Sequence, residues 1–182
     1  YFVASGMGGD ALWVTDGTQN GTQIVGPRMD DIGGVVATND KVFFLAINGL
    51  NNLELWVTDG SSTPTMLYVS SGSDTYSLPE LVAANNYVVF TADNGVDGRE
   101  IWKSDGTLGG TAMIRDINAV SNGVGGTDGS DPFGMTAMGS QVLFGASDGT
   151  GAEPWITDGT SNGTRKIKDI NPYGASMSMP YL

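Results

Sequence analysis

All four tryptophans of this chain lie inside near-copies of one phrase. "ALWVTDG" runs from Ala11 to Gly17, "ELWVTDG" from Glu54 to Gly60, "EIWKSDG" from Glu100 to Gly106 and "EPWITDG" from Glu153 to Gly159. The tryptophans, Trp13, Trp56, Trp102 and Trp155, are spaced by 43, 46 and 53 residues. Self-similarity at such a period is the signature of solenoids, propellers and arrays, in which each unit buries its faces only against its neighbours. The copies extend beyond the phrase. An apolar run with an aromatic precedes each, around Phe2, Phe44, Phe90 and Phe144, and the step from Phe to Trp is 11, 12, 12 and 11 residues. A Gly-rich turn follows, then "GTQIV", "PTMLYV", "GTAMIRDI" and "GTRKIKDI".

Each unit reads as four short strands, for example VVFTA, REIWKSD, TAMIRDI and PELVAAN, here called a, b, c and d. Aromatic and β-branched residues favour strands. Strand b alternates, with Leu55 and Val57 pointing one way and Trp56 and Thr58 the other. "DGTSNGT" (158–164) carries Asp-Gly and Asn-Gly hairpin signals, and Asn85-Asn86 and Gly139-Ser140 mark tight d–a turns. The 28 glycines in 182 residues, roughly double the usual share of ~7%, also favour turns over long helices. No segment sustains a helical period.

The expected fold is therefore all-β: a β-propeller or propeller-like array of four-stranded antiparallel blades, about four repeats, in one domain covering 1–182. The units run approximately 1–41, 42–87, 88–141 and 142–182. Trp13, Trp56, Trp102 and Trp155 are expected to fill the gaps between blades, together with Phe2, Phe44, Phe90 and Phe144. One d strand is missing at the seam, because Tyr1-Phe2 reads as the tail of a d–a pair and Pro180 aligns with Pro79 and Pro132. A window of a longer array is favoured over a four-blade ring.

Several functions are disfavoured. Net charge is −12 with eight Lys and Arg, so the chain lacks the basic surface that binds phosphate backbones, and neither nucleic acid nor an anionic membrane is expected as a partner. Without Cys or His there is no disulfide, thiolate nucleophile or Ser–His chemistry. No apolar run reaches the ~18 residues of a membrane span, so no membrane insertion is expected, and no signal peptide is visible.

The phrase "ELWVTDG", with "TDGTSNGTRKIKDI" at 157–170, resembles the bacterial ELWxxDGT repeat family across essentially the whole chain, as four copies. Ala11, Pro154 and "DGSSTPT" depart from its pattern, and the closing Asp-Ile survives only at Asp116-Ile117 and Asp169-Ile170. The resemblance implies a large secreted or surface-attached repeat protein, propeller-like, with no catalytic residue to carry over.

In an up-and-down blade the b–c and d–a turns share one edge, and the a–b and c–d loops share the other. The second edge varies most, longest at "NAVSNGVGGTDGSD" (118–131), and variable loops on a rigid scaffold usually carry binding. Asp128, Asp131, Phe133, Tyr76 and Tyr173 are the candidates there, and with Tyr181 the aromatics would stack on sugars. Loop 118–131 itself reads as flexible and solvated. No cofactor is demanded. Calcium is the one for which ligands are on offer, at Asp93, Asp97 and Glu100 in "DNGVDGRE" and at Asp148 and Glu153 in "SDGTGAE". Turn aspartates Asp16, Asp59, Asp105 and Asp158 read as acceptors for backbone N–H groups, and the sequons at Asn20 and Asn162 as turn chemistry.

The leading expectation is a non-catalytic structural, adhesive or protein-interaction module, extracellular or at the bacterial cell surface. Its partners would be a protein or a glycan there, or further copies of itself. The alternatives are a carbohydrate-binding propeller and a non-catalytic propeller domain of a larger secreted enzyme.

Overall fold

A computed structural model describes residues 1–60, 63–71 and 80–170. Tyr76, Tyr173, Pro180 and Tyr181 lie outside the described residues. The described chain is strands and loops, with no helix. The first sheet holds β1 (Phe2–Gly6), β2 (Gly9–Val14) and β3 (Gln23–Met29). The second holds β4 (Asp31–Ala37), β5 (Val42–Ile47), β6 (Leu53–Thr58) and β7 (Thr65–Val69). The third holds β8 (Leu81–Ala84), β9 (Tyr87–Asp93), β10 (Arg99–Ser104) and β11 (Ala112–Arg115). The fourth holds β12 (Phe133–Met138), β13 (Gln141–Ser147), β14 (Ala152–Thr157) and β15 (Arg165–Lys166). All pairings are antiparallel between consecutive strands.

The sheets begin one strand earlier than the units read from sequence. Each d strand pairs with the following a strand rather than closing the preceding unit: β4 with β5, β8 with β9 and β12 with β13. Tight turns at Asn85 (φ 55°) and Gly139 (φ 63°) impose this, since two-residue hairpins need positive φ. The boundaries 42, 88 and 142 therefore cut across hydrogen-bonded hairpins.

The Phe-to-Trp step of 11 or 12 residues sets the register. Phe2 pairs with Trp13, Phe44 with Trp56, Phe90 with Trp102 and Phe144 with Trp155. Cross-strand partners share a face, so every sheet carries a Phe–Trp pair on one face. Their neighbours, such as Val3 and Leu12, Phe43 and Val57, Val89 and Ile101, or Leu143 and Ile156, occupy the other. The sheets stack with one polarity. Phe44, Ala46 and Trp56 pack on Leu12 and Val25 of the first sheet. Phe90, Ala92 and Trp102 pack on Phe43, Leu45, Leu55 and Val57 of the second. Phe144, Ala146 and Trp155 pack on Val89, Ile101 and Ile114 of the third. Burial of such side chains contributes about 1.5–3 kcal/mol each.

Candidate functional site

The two edges of the sheets use their polar residues differently. On the turn edge, Asp16, Asp105 and Asp158 repeat one network. The carboxylate Oδ1 accepts the backbone N–H and the hydroxyl of the Thr two residues on: Thr18 at 2.9 and 2.8 Å, Thr107 at 2.9 and 2.7 Å, Thr160 at 2.9 and 2.7 Å. That Thr Oγ1 then accepts the N–H of Gly21, Gly110 or Gly163. A Cβ on any of these glycines would fall 2.0 or 2.1 Å from the Asp Oδ1, so only Gly fits. The motif residues T/S-D-G-T-x-x-G-T thus close one turn. These bonds hold all three carboxyls below the usual carboxylate range. The Thr18 backbone N–H leads for Asp16, and the Thr hydroxyl leads for Asp105 and Asp158.

Adjacent sheets meet at this edge. Lys41 Nζ donates to Asp105 O at 3.0 Å and Arg115 Nη1 to Thr164 O at 2.8 Å. The Arg115 guanidinium also lies 6.0 Å from the Trp155 ring centre, at the outer limit of a cation–π contact.

On the loop edge the leading Glu of the phrase is the anchor. Glu100 is fully buried. Its carboxylate accepts Ile117 N (3.2 Å), Asn118 N (3.4 Å), Ser130 N (2.9 Å) and Ser130 Oγ (2.6 Å). It clasps both ends of loop 118–131 at once. Burial pushes its carboxyl up to about 7, against the pull of those four donors. Glu153 repeats the contact to Ile170 N at 2.7 Å, which accounts for the Asp-Ile that closes the third and fourth repeats. Glu54 instead accepts Asn48 Nδ2 (2.7 Å) and Trp56 Nε1 (2.8 Å).

Loop 118–131 is accordingly not the loose segment its Gly and Ser content suggested. Ser121 bridges Thr127, Asp128 N donates to Val120 O, and Thr127 N donates to Val96 O of the a–b loop. Asp128 and Asp131 are exposed. Asp131 takes a positive φ of 46°, and its N donates to Arg99 O. Phe133, expected as a sugar-stacking ring, is half-buried and lies across Gly145, where a Cβ would meet its ring at 2.4 Å.

The expected calcium ligands do not converge. Asp93 pairs with Arg99 and Glu100 with Ala92, so Asp93 and Glu100 stand on opposite faces of the third sheet. Asp97 accepts Asn94 Nδ2, and Asp148 pairs with Lys166 at 2.6 Å. Among the described residues no three Asp or Glu group to hold a metal ion. Sequence reading missed the anchoring role of Glu54, Glu100 and Glu153. Their recurrence just before the tryptophans was the available signal. Among the described residues no helix is long and apolar enough to cross a membrane.

No family model and no curated protein matches the chain. Among solved structures, 16 chains match. One comes from a structural and mechanistic analysis of two prolyl endopeptidases and has a TM-score of 0.56 at 13% identity. The match covers 90% of this chain and 24% of that one, so the chain spans about a quarter of its length. At this identity the likeness is one of fold.

Proposed function

We propose that the chain is a non-catalytic interaction module: propeller-like blades of the ELWxxDGT type, outside the cell, that present the a–b and c–d loops to a protein partner. One observation carries the reading. The repeated acidic residues are engaged in holding the fold, Asp16, Asp105 and Asp158 in the turns and Glu100 and Glu153 at the loops. What varies is the loop edge. There Glu100 holds 118–131 in one shape and leaves Asp128, Asp131 and the tip around Val124 exposed. Pre-ordering a recognition loop lowers the entropy lost on binding, which suits adhesion.

The test presents immobilised chain to surface glycans and extracellular matrix proteins, with a variant in which 120–127 is replaced by Gly-Gly. The reading expects saturable binding to a protein ligand that the variant loses while its melting transition stays cooperative. Equal binding by both forms removes the loop edge from the function. Binding to glycans alone favours the lectin alternative.

A second reading has its own support. The fold matches part of a prolyl endopeptidase structure, one that contains a β-propeller. A non-catalytic propeller domain of a larger secreted enzyme has the same architecture. Peptidase activity in the intact polypeptide, absent from this chain alone, would favour it.

A further inference from the structure

We infer that the crevice between the third and fourth sheets, at their turn edge, binds one neutral sugar unit, with Tyr87 and Lys103 on one side and Asp158 and Gly159 on the other. The site lies away from the a–b and c–d loops and does not depend on their role. The cavity is about 190 Å³ and is lined by Asn86, Tyr87, Lys103, Asp105, Asp158 and Gly159. That is smaller than the ~300–1,000 Å³ of sites for drug-sized ligands, and it suits a single ring.

Strand register makes this crevice. Val89 faces the fourth sheet, Lys103 pairs with Val89, and Tyr87 stands two residues before Val89 on the same face. The apolar interface therefore gives way at the turn edge to a phenol and an ammonium group. The crevice between the second and third sheets differs. There Lys41, three residues before Phe44, takes the place of Tyr87, three before Phe90. Val57 takes the place of Lys103, and Lys41 Nζ donates to Asp105 O.

The walls of the third–fourth crevice are fixed. Tyr87 Oη donates to Ser140 O at 2.9 Å. A Cβ on Gly159 would fall 2.9 Å from Tyr87 Cε2, so the glycine lets the ring lie close. Asp105 and Asp158 bind Thr107 and Thr160 through Oδ1, which leaves Oδ2 on each. Burial first, and the Asp158 charge second, push the Tyr87 hydroxyl up. The Lys103 charge adds to the Thr160 bonds that hold Asp158 down. Yet among the described residues Lys103 forms no ion pair and the Asn86 amide no hydrogen bond. Carboxylate acceptors, an ammonium donor and an amide that does both thus face one small cavity. A sugar hydroxyl donates and accepts at once and answers this mixture, and the Tyr87 ring offers its negative face to the C–H groups of a pyranose. Two carboxylates against one ammonium disfavour an anionic sugar. Rigid walls keep the ordering cost low, but the contact is small, so affinity is expected in the millimolar range.

Amide NMR of the full 182-residue chain, titrated with glucose, galactose, mannose and N-acetylglucosamine, tests this. At least one sugar should shift the amides of Asn86, Tyr87, Lys103 and Gly159. Lys103→Met should weaken its binding about tenfold and Asn86→Ala about threefold, and dispersed spectra check that each variant folds. Should one variant unfold, the other still decides. The form with 120–127 replaced by Gly-Gly should bind the sugar as the wild type does, so this site and the loop-edge reading stand or fall separately. No shifts from any of the four sugars overturn the inference. Shifts confined to loop-edge amides, or binding unmoved by a folded variant, also overturn it. Methylammonium shifting the same amides as strongly as the best sugar makes the crevice a cation site and overturns it too.

Discussion

The first and third sheets are built from the same phrase and are fastened differently. In the third, Phe90 is fully buried, Glu100 clasps a 14-residue loop, and Gly106 sits against Lys41 of the neighbouring sheet. In the first, Phe2 is 40% exposed, Ala11 stands at the position of the Glu, and a Cβ on Gly17 would have nothing within 4 Å. The turn network is the same in both, through Asp16–Thr18 and Asp105–Thr107. Turn chemistry is thus local to each repeat. Burial and loop anchoring depend on a neighbour and on one carboxylate.

Removing the buried aromatic should break the comparison most widely. Phe90→Ala should cost about 3–5 kcal/mol, and Phe2→Ala about 1 kcal/mol or less. Denaturant melts of both check this. Glu100→Ala comes next, at about 3 kcal/mol, because it strands four buried donors that no other group satisfies. Its counterpart Ala11 already lacks the carboxylate, so Ala11→Gly should shift the midpoint far less.

The pH dependence sharpens the same contrast. Folding raises the Glu100 pKa from 4.5 to about 7, so the folded state holds that proton more tightly. The resulting stabilisation is fully present below about pH 4.5 and is lost as pH rises through about 7. Glu100→Gln cannot titrate. Wild-type stability relative to this variant should fall across that window in paired melts, and a flat difference would contradict the burial of the carboxyl. The smallest effect is expected at the turns. Thr18→Val and Thr107→Val each remove one hydroxyl from the Asp network and should cost about 1 kcal/mol alike, since those bonds do not depend on a neighbouring sheet.

How much of this was legible in the sequence depended on distance along the chain. The Phe-to-Trp step is a register statement, because an a–b hairpin of fixed length puts those rings opposite each other. Asp-Gly-Thr was legible as a turn because its partners lie within six residues. The grouping of strands was harder, since a repeat has a period but no phase. The two-residue turns at 85–86 and 139–140 were the signal that d belongs with the next a. Parity was available too: once Phe90 faces Trp102, Asp93 must face Arg99 and not Glu100, which separates the supposed calcium ligands. The recurrence of the Glu was visible but the partners of Glu100 were out of reach, because they are backbone N–H groups 17, 18 and 30 residues away. Every residue but proline carries such a group.

Amide hydrogen exchange at Ile117, Asn118 and Ser130 tests the central claim, that the Glu of the repeated phrase holds the variable loop on the scaffold. In the wild type these amides should exchange as slowly as the core of β9 and β10, and Glu100→Ala should release them while β9 and β10 stay protected. Fast exchange at Ile117 and Ser130 in the wild type, or rates unmoved by the substitution, would contradict the account.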